Sequence, residues 1–310
     1  MSTLLFFDPA GLKHHTPEGH PERTDRLRAI RSALEAPDFT ALDRRTAPPA
    51  DPAELLRCHP QDYIDRIHAA IPAEGSRPLD ADTHVSPGSW GAALGAVGQA
   101  CAAVDAVLGG EGANAFCAAR PPGHHAERAT PMGFCLFGTV AIAAKRALDH
   151  HGLNRVAVVD FDVHHGNGTQ DLLWDEARTL FATSQQMPLW PGTGAAEERG
   201  AHDNVINLPL PPGTDGIGFR AAWGPVLERL DAYQPELVLV SAGFDAHADD
   251  PLAGLNLVEA DFAWITGRLC DIAETHAQGR LVSVLEGGYE LDALGASVAA
   301  HVKVLMERGA

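Results

Sequence analysis

Val158-Val-Asp-Phe-Asp-Val-His-His-Gly-Asn-Gly-Thr169 is the stretch on which the reading of the whole chain turns. The apolar run Val156–Val159 predicts a strand covered on both faces. It leads into Asp160, Asp162 and His164, and the two-residue spacing predicts that strand alternation puts all three side chains on one face. The Gly-Asn-Gly that follows reads as a turn closing the strand. Two carboxylates and an imidazole at the carboxyl end of a buried strand are costly unless paired or bound to metal. A hydrogen-bonded structural cluster at the strand end is the alternative that this segment alone leaves open.

Similar apolar runs flank this one. Strands are predicted at Leu4–Asp8, Asn114–Arg120, Arg155–Asp162, Thr179–Ser184, Asn204–Leu210, Glu236–Ala242 and Arg280–Glu286. Helical patterns lie between them at Arg23–Glu35, Pro60–Ala70, Ser89–Leu108, Thr139–His150, Gly218–Ala232 and Glu259–His276. This alternation predicts an α/β fold with a mostly parallel sheet. No internal repeat or low-complexity linker divides the chain, so residues 1–310 are expected to form a single domain.

Four further segments carry chemistry, three of them just past strand ends. Ser241-Ala-Gly-Phe-Asp-Ala246 brings Asp245 after an apolar strand; it could join Asp162 and His164 as a three-ligand divalent site, or act as a cap or turn residue. Arg120-Pro-Pro-Gly-His-His-Ala126 carries adjacent histidines, suited to acid and base work near neutrality. His-His is weak by itself, since His14-His15 and His150-His151 repeat it, the latter at a helix end. Thr130-Pro-Met-Gly-Phe-Cys135 follows, with a glycine and an aromatic suited to a narrow wall. Leu285-Glu-Gly-Gly-Tyr289 ends another strand with a phenol that could stabilise an oxyanion or simply pack half-buried.

Composition bounds the partners. The 310 residues hold 23 Lys plus Arg against 41 Asp plus Glu, a formal charge of −18, which argues against nucleic acid or an anionic membrane as partner. No run of about 18 apolar residues predicts a spanning helix, and the small-residue pattern around Gly91–Gly110 reads as close helix packing. The start, MSTLLFFDPA, has no basic residues before its apolar run, so secretion is not expected. Five cysteines without a CxxC predict a reducing, cytoplasmic setting with no disulfide framework. Sixteen histidines are the unusual feature.

RPPGHHA, PMGFC, DFDVHHGNGTQ, SAGFDA and LEGGY, preceded by GHPER, together resemble the histone deacetylase family in content and order, from about Gly19 to Leu305. The Gly-Asn-Gly in place of Gly-Asp-Gly resembles the class II branch and its bacterial relatives. The resemblance implies the arginase–deacetylase fold, a central mostly parallel sheet of about eight strands with helices on both faces. It implies a zinc-dependent amidohydrolase, with Asp162, His164 and Asp245 as zinc ligands. His125 would be general base toward water and acid toward the leaving amine, and His124 would tune charge through Asp160. Asn167 would orient His125, and Tyr289 would polarise the amide carbonyl. Gly133, Phe134 and Trp190 would line a narrow channel, with Trp190 in place of the more usual phenylalanine. Asp82 would hold substrate amides at the rim, and Leu252 would stand where polyamine-selective relatives carry glutamate. A structural potassium ion is implied near Asp160, Asp162, His164, Ser184 and Gln185, and Arg23 matches an arginine near an internal channel. Rim loops completed by a neighbouring subunit would make a homo-oligomer.

Three other readings compete. An acetylpolyamine or other small-amide hydrolase would use the same centre. A dimanganese ureohydrolase would need extra carboxylates where this chain has Gly166 and His247. A non-catalytic acyl-lysine binder would not need the intact set of ligands, histidines and tyrosine.

Overall fold

The computed structural model describes residues 2–309. The strands are β1 (Thr3–Phe7), β2 (Asp43–Arg45), β3 (Arg77–Pro78), β4 (His84–Val85), β5 (Asn114–Ala118), β6 (Val156–Asp160), β7 (Thr179–Gln186), β8 (Val205–Leu210), β9 (Leu237–Ala242) and β10 (Leu281–Leu285). The α-helices are α1 (Asp25–Leu34), α2 (Pro52–Leu55), α3 (Gln61–Ala70), α4 (Ser89–Leu108), α5 (Thr139–Asp149), α6 (Asn167–Leu173), α7 (Gly216–Tyr233), α8 (Glu259–His276) and α9 (Leu291–Gly309).

Eight strands form one sheet in the order β2-β1-β5-β10-β9-β6-β7-β8. Every neighbouring pair in it is parallel. The alternation of side chains explains the layering. Leu4, Phe6, Ala115, Cys117, Val156 and Val158 point into one core with α3, α4, α5 and α6. Leu5, Phe116, Ala118, Ala157 and Val159 point into the other, with α1, α7, α8 and α9. Both faces are covered, which is why the strands read as continuous apolar runs. A fully buried Leu or Val contributes about 1.5–3 kcal/mol relative to exposure, so this double core dominates the stability.

All seven predicted strands are present. The sequence reading missed β2, because its Asp-Arg-Arg carries no apolar pattern and it needs only one strand neighbour at the sheet edge. It also missed α9, although Leu294, Val298, Val302 and Leu305 recur at helical spacing and are buried. The Gly-Asn-Gly predicted as a turn opens α6 instead: Asn167 is its first residue. β6 also ends at Asp160, so Asp162 and His164 lie in the bend beyond it rather than alternating along a strand.

Helix α4 is 20 residues long and apolar enough to cross a bilayer, but 78% of its most apolar window is buried inside this fold. It packs against α5 and β5, and its glycines admit close neighbours such as the 48–50 segment.

Candidate active site

Four loops meet at the carboxyl ends of the central strands β5, β6, β9 and β10, the place where open parallel sheets bind ligands. The bend after β6 is shaped by carboxylates that accept backbone N–H groups. Asp162 N donates to Asp160 Oδ1 (3.1 Å), His164 N to Asp162 Oδ1 (2.9 Å) and Val163 N to Asp245 Oδ1 (2.9 Å). These bonds bring His164 Nδ1 to 3.2 Å from Asp162 Oδ1 and 3.0 Å from Asp245 Oδ2. Gly287 allows the approach, since a Cβ there would lie 2.2 Å from Asp245 Oδ2 and 2.5 Å from Asp162 Oδ2.

This trio fits a divalent cation. One imidazole nitrogen carries at most one hydrogen, yet it faces two carboxylate oxygens in a buried site. Burial and the charge of Asp162 push the Asp245 carboxyl up to about 7, the mark of two carboxylates short of positive charge. Two oxygens and one nitrogen form a donor set suited to zinc. The second cluster of possible ligands, Asp105, His150 and His151, lies at the end of α5, where Arg146 already pairs with Asp105 at 2.8 Å.

The tandem histidines lie beside the trio with ring centroids 3.9 Å apart and planes tilted by 42°, but their surroundings differ. His124 Nδ1 donates to Asp160 Oδ2 (2.9 Å). Burial alone would lower its pKa, yet the charges of Asp162, Asp160 and Glu286 raise it well above the ordinary imidazole value. His125 Nδ1 lies 2.8 Å from Asn167 Oδ1. Burial, then the charges of His124 and His164, hold it well below that value. Asn167 is oriented in turn, donating from Nδ2 to Glu127 Oε1 (2.9 Å). An amide that donates there must present its oxygen to His125, which places the imidazole hydrogen on Nδ1 and leaves Nε2 with a lone pair.

Above these groups is a pocket of about 190 Å³ lined by Asp82, His125, Gly133, Phe134, His164, Leu189, Trp190, Leu252 and Tyr289. The five residues expected to contact substrate, Asp82, Gly133, Phe134, Trp190 and Leu252, all lie on it. Phe134 faces Tyr289 edge-on at 5.8 Å, and Trp190 faces His125 at 4.7 Å. Gly133 sits at φ +55°, and a Cβ there would strike His125 Cδ2 at 2.4 Å. Burial raises the Tyr289 phenol well above its ordinary pKa, so it stays protonated. Ser184 and Gln185 are buried on β7, whose Gln186 N–H reaches the bend through Val163 O at 2.8 Å.

Arg23 does not reach this region. It is exposed and pairs with Asp25 at 3.7 Å, so it serves the start of α1. The buried arginine is Arg26, one turn further along. Its Nε donates to Gly288 O (2.6 Å), and its guanidinium lies 4.9 Å from the Tyr289 ring centroid. Buried Glu22 ties Arg26 to Arg120. Two carboxylates also went unassigned. Glu286 accepts from Gly123 N (2.7 Å), His124 N (3.2 Å) and Ser241 Oγ (3.0 Å). Asp250 Oδ2 accepts from Tyr289 N (2.7 Å), and its Oδ1 from Leu252 N (3.0 Å). Glu286 sits in Leu285-Glu-Gly-Gly-Tyr289, where a lone charge at the exit of an apolar strand was the available signal, whereas nothing local marks Asp250.

The Histone deacetylase domain model matches residues 20–305. The chain belongs to the histone deacetylase family. Within that family it is 43% identical to a histone deacetylase-like amidohydrolase of Pseudomonas aeruginosa, over 87% of this chain and 73% of that protein. It is 46% identical to an uncharacterized protein of Synechocystis, over 97% of this chain and 99% of the other. A probable deacetylase of Archaeoglobus fulgidus is 37% identical, over 94% and 82% respectively. The crystal structure of the HDA15 HD domain superposes with a TM-score of 0.93 at 33% identity, covering 99% of this chain and 89% of that one. The histone deacetylase fold, an arginase–deacetylase α/β sheet with helices on both faces, is therefore the fold of this chain.

Proposed function

We propose that the chain is a zinc-dependent amidohydrolase that removes acetyl or other short acyl groups from lysine side chains or similar amines. Family membership supports a deacetylase or amidohydrolase function. The observation that carries the finer reading is the convergence of Asp162, His164 and Asp245 with a neutral His125 and a protonated Tyr289 on one pocket.

When bound by Asp162, His164 and Asp245, zinc would supply Lewis-acid chemistry, polarising the amide carbonyl and acidifying water. His125 takes the proton of the attacking water at Nε2 and delivers it to the leaving amine; Asn167 fixes the tautomer this needs. Tyr289 donates its hydroxyl hydrogen to the developing oxyanion. His124, hydrogen-bonded to Asp160, holds a positive charge beside the forming tetrahedral centre. Phe134 and Trp190 flank the acyl chain, and Asp82 accepts substrate N–H groups at the rim. Potassium is proposed on the oxygen-rich set of Asp160, Asp162, His164, Ser184 and Gln185, as a structural ion only.

Acidic Asp82 at the rim and the overall charge of −18 suit cationic substrates, acylated lysine tails and acylated polyamines alike, while Leu252 in place of a glutamate counts against the polyamines. A dimanganese centre is disfavoured. Gly166 offers no ligand, and His247 is not the carboxylate that bridging a second manganese calls for.

The test is a hydrolysis panel on zinc-loaded protein: acetyl-lysine peptides, longer acyl-lysines, acetylated polyamines and simple anilides. Turnover of at least one class, abolished by chelation and restored by zinc, is expected. No turnover with zinc bound would favour a non-catalytic binder, and two manganese ions per chain would favour a ureohydrolase.

A further inference from the structure

His20 lies outside the pocket lining, yet it touches each part of one of its walls. Its Nε2 is 3.0 Å from the carbonyl oxygen of Asp82, and Glu22 N–H reaches its Nδ1 at 3.1 Å. A carbonyl only accepts, so Nε2 donates to Asp82 O, while Nδ1 lies between Glu22 N at 3.1 Å and Glu22 O at 3.2 Å. The same ring meets Phe134 edge-on, centroids 4.8 Å apart, and His84 at 5.7 Å.

Its contacts belong to a connected unit. Phe134 N–H donates to Thr83 Oγ1 (3.1 Å), which donates to Asp82 Oδ1 (3.1 Å). Asp80 Oδ1 accepts from both Asp82 N (3.0 Å) and Thr83 N (2.6 Å). Phe134 stands at φ +68°, a conformation that a bulky residue holds only when its surroundings impose it. On the other side of His20, Glu22 is buried and paired with Arg120 and Arg26, and Arg26 in turn braces Gly288 beside Tyr289. Residues 80–82 form the tip of the β3–β4 hairpin, closed by Leu79 N donating to Thr83 O at 2.8 Å, and His20 ties that tip to the segment leading into α1.

We infer that His20 is a specificity-determining positioning residue. It fixes the Asp82 carboxylate and the Phe134 ring as one rigid wall, and so selects substrates whose backbone N–H groups flank the acylated amine. The inference rests on the amidohydrolase reading above and adds to it a preference for peptide over free acylamine.

The experiment compares an acetyl-lysine peptide with a small acetylated amine lacking backbone amides, each in steady-state kinetics with zinc-loaded protein. His20→Ala is expected to raise KM for the peptide about 3- to 10-fold, the loss of one positioning hydrogen bond, while kcat shifts less than about twofold. KM for the small amine should move less than about twofold. His20→Gln, whose side-chain amide also donates and accepts, should recover most of the peptide KM. Asp82→Ala combined with His20→Ala should be no worse than Asp82→Ala alone, because both act through one contact. Should His20→Ala not fold, His20→Asn, too short to reach the Asp82 carbonyl, is expected to give the same KM split. Equal kcat losses on both substrates, or full additivity with Asp82→Ala, would overturn the inference. Wild-type protein inactive on both substrates would instead overturn the hydrolase reading.

Discussion

At the scale of single residues, the site works through differences in environment between chemically identical groups. Two adjacent histidine rings lie 3.9 Å apart, yet carboxylates charge one while burial and neighbouring positive charge discharge the other. Tyr289 is the sharpest point of control, since its hydroxyl hydrogen serves only the developing oxyanion. Tyr289→Phe is expected to lower kcat about 10²- to 10³-fold with little change in KM, read on whichever acyl amide the wild type cleaves best. Gly287 matters through what it lacks. Gly287→Ala would push a methyl group into both ligand carboxylates and is expected to reduce zinc content to well below one per chain by elemental analysis, with helix content preserved in circular dichroism. His125, Gly133, Phe134, His164 and Tyr289 were legible in the sequence through short motifs, Asp82, Trp190 and Leu252 only through the family resemblance, and Leu189 not at all. Glu286, Asp250, Arg26 and Glu22 were not. Their work is to accept from or donate to backbone groups of segments distant in the chain, and no local pattern encodes such partners.

At the scale of elements, continuous apolar strands were easy to read because both sheet faces are covered. The short and charged β2, and α6 starting within a glycine pair, gave no periodicity to detect. The loop after β7 has the largest bearing on function. It carries Trp190, which is 42% exposed, and is tied down where His165 Nδ1 meets Thr193 Oγ1 at 2.8 Å. His165 Nε2 in turn meets Gln170 Oε1 of α6 at 3.0 Å, so the loop is braced by the helix below it. Trp190 therefore presents a held ring, not a free one. Trp190→Phe removes the larger ring from the pocket wall and is expected to shift the preferred acyl chain by about one or two methylenes toward longer groups, about 10-fold in kcat/KM ratios across a series of acyl-lysine peptides. An unchanged order of preference would show that another residue sets the limit.

At the scale of the whole molecule, the sixteen histidines divide into three sets. His124, His125 and His164 cluster at the candidate site. His59, His165 and His301 are buried, and desolvation takes them down to about 4, 4 and 3. The others range from His20, which braces the pocket wall, to His276, which pairs with Asp231 away from the site. The buried set contributes acid sensitivity. Below the ordinary imidazole pKa of about 6.5 the unfolded chain takes up these three protons, and the folded chain refuses them until roughly pH 3–4. For these three rings the unfolded state then binds more protons, so their contribution to stability falls as pH drops, while the buried carboxyls Asp245 and Glu286, both pushed up to about 7, act with the opposite sign. Imidazole resonances of His59, His165 and His301 should still report neutral rings at pH 5.5, and titration of all three near 6.5 would refute the assignment.

The carboxyl ends of β5, β6, β9 and β10 lie side by side, but the chain visits them in four separate passes. No contiguous half of the protein contains the tandem histidines, the ligand trio and Tyr289 together. Cutting the chain in the exposed 212–213 segment, between β8 and α7, would leave Asp162 and His164 on one piece and Asp245 and Tyr289 on the other. Each piece would be silent alone, and hydrolysis would return only when β9 and β10 of one slot between β5 and β6 of the other, making the fold a natural split reporter of its own assembly.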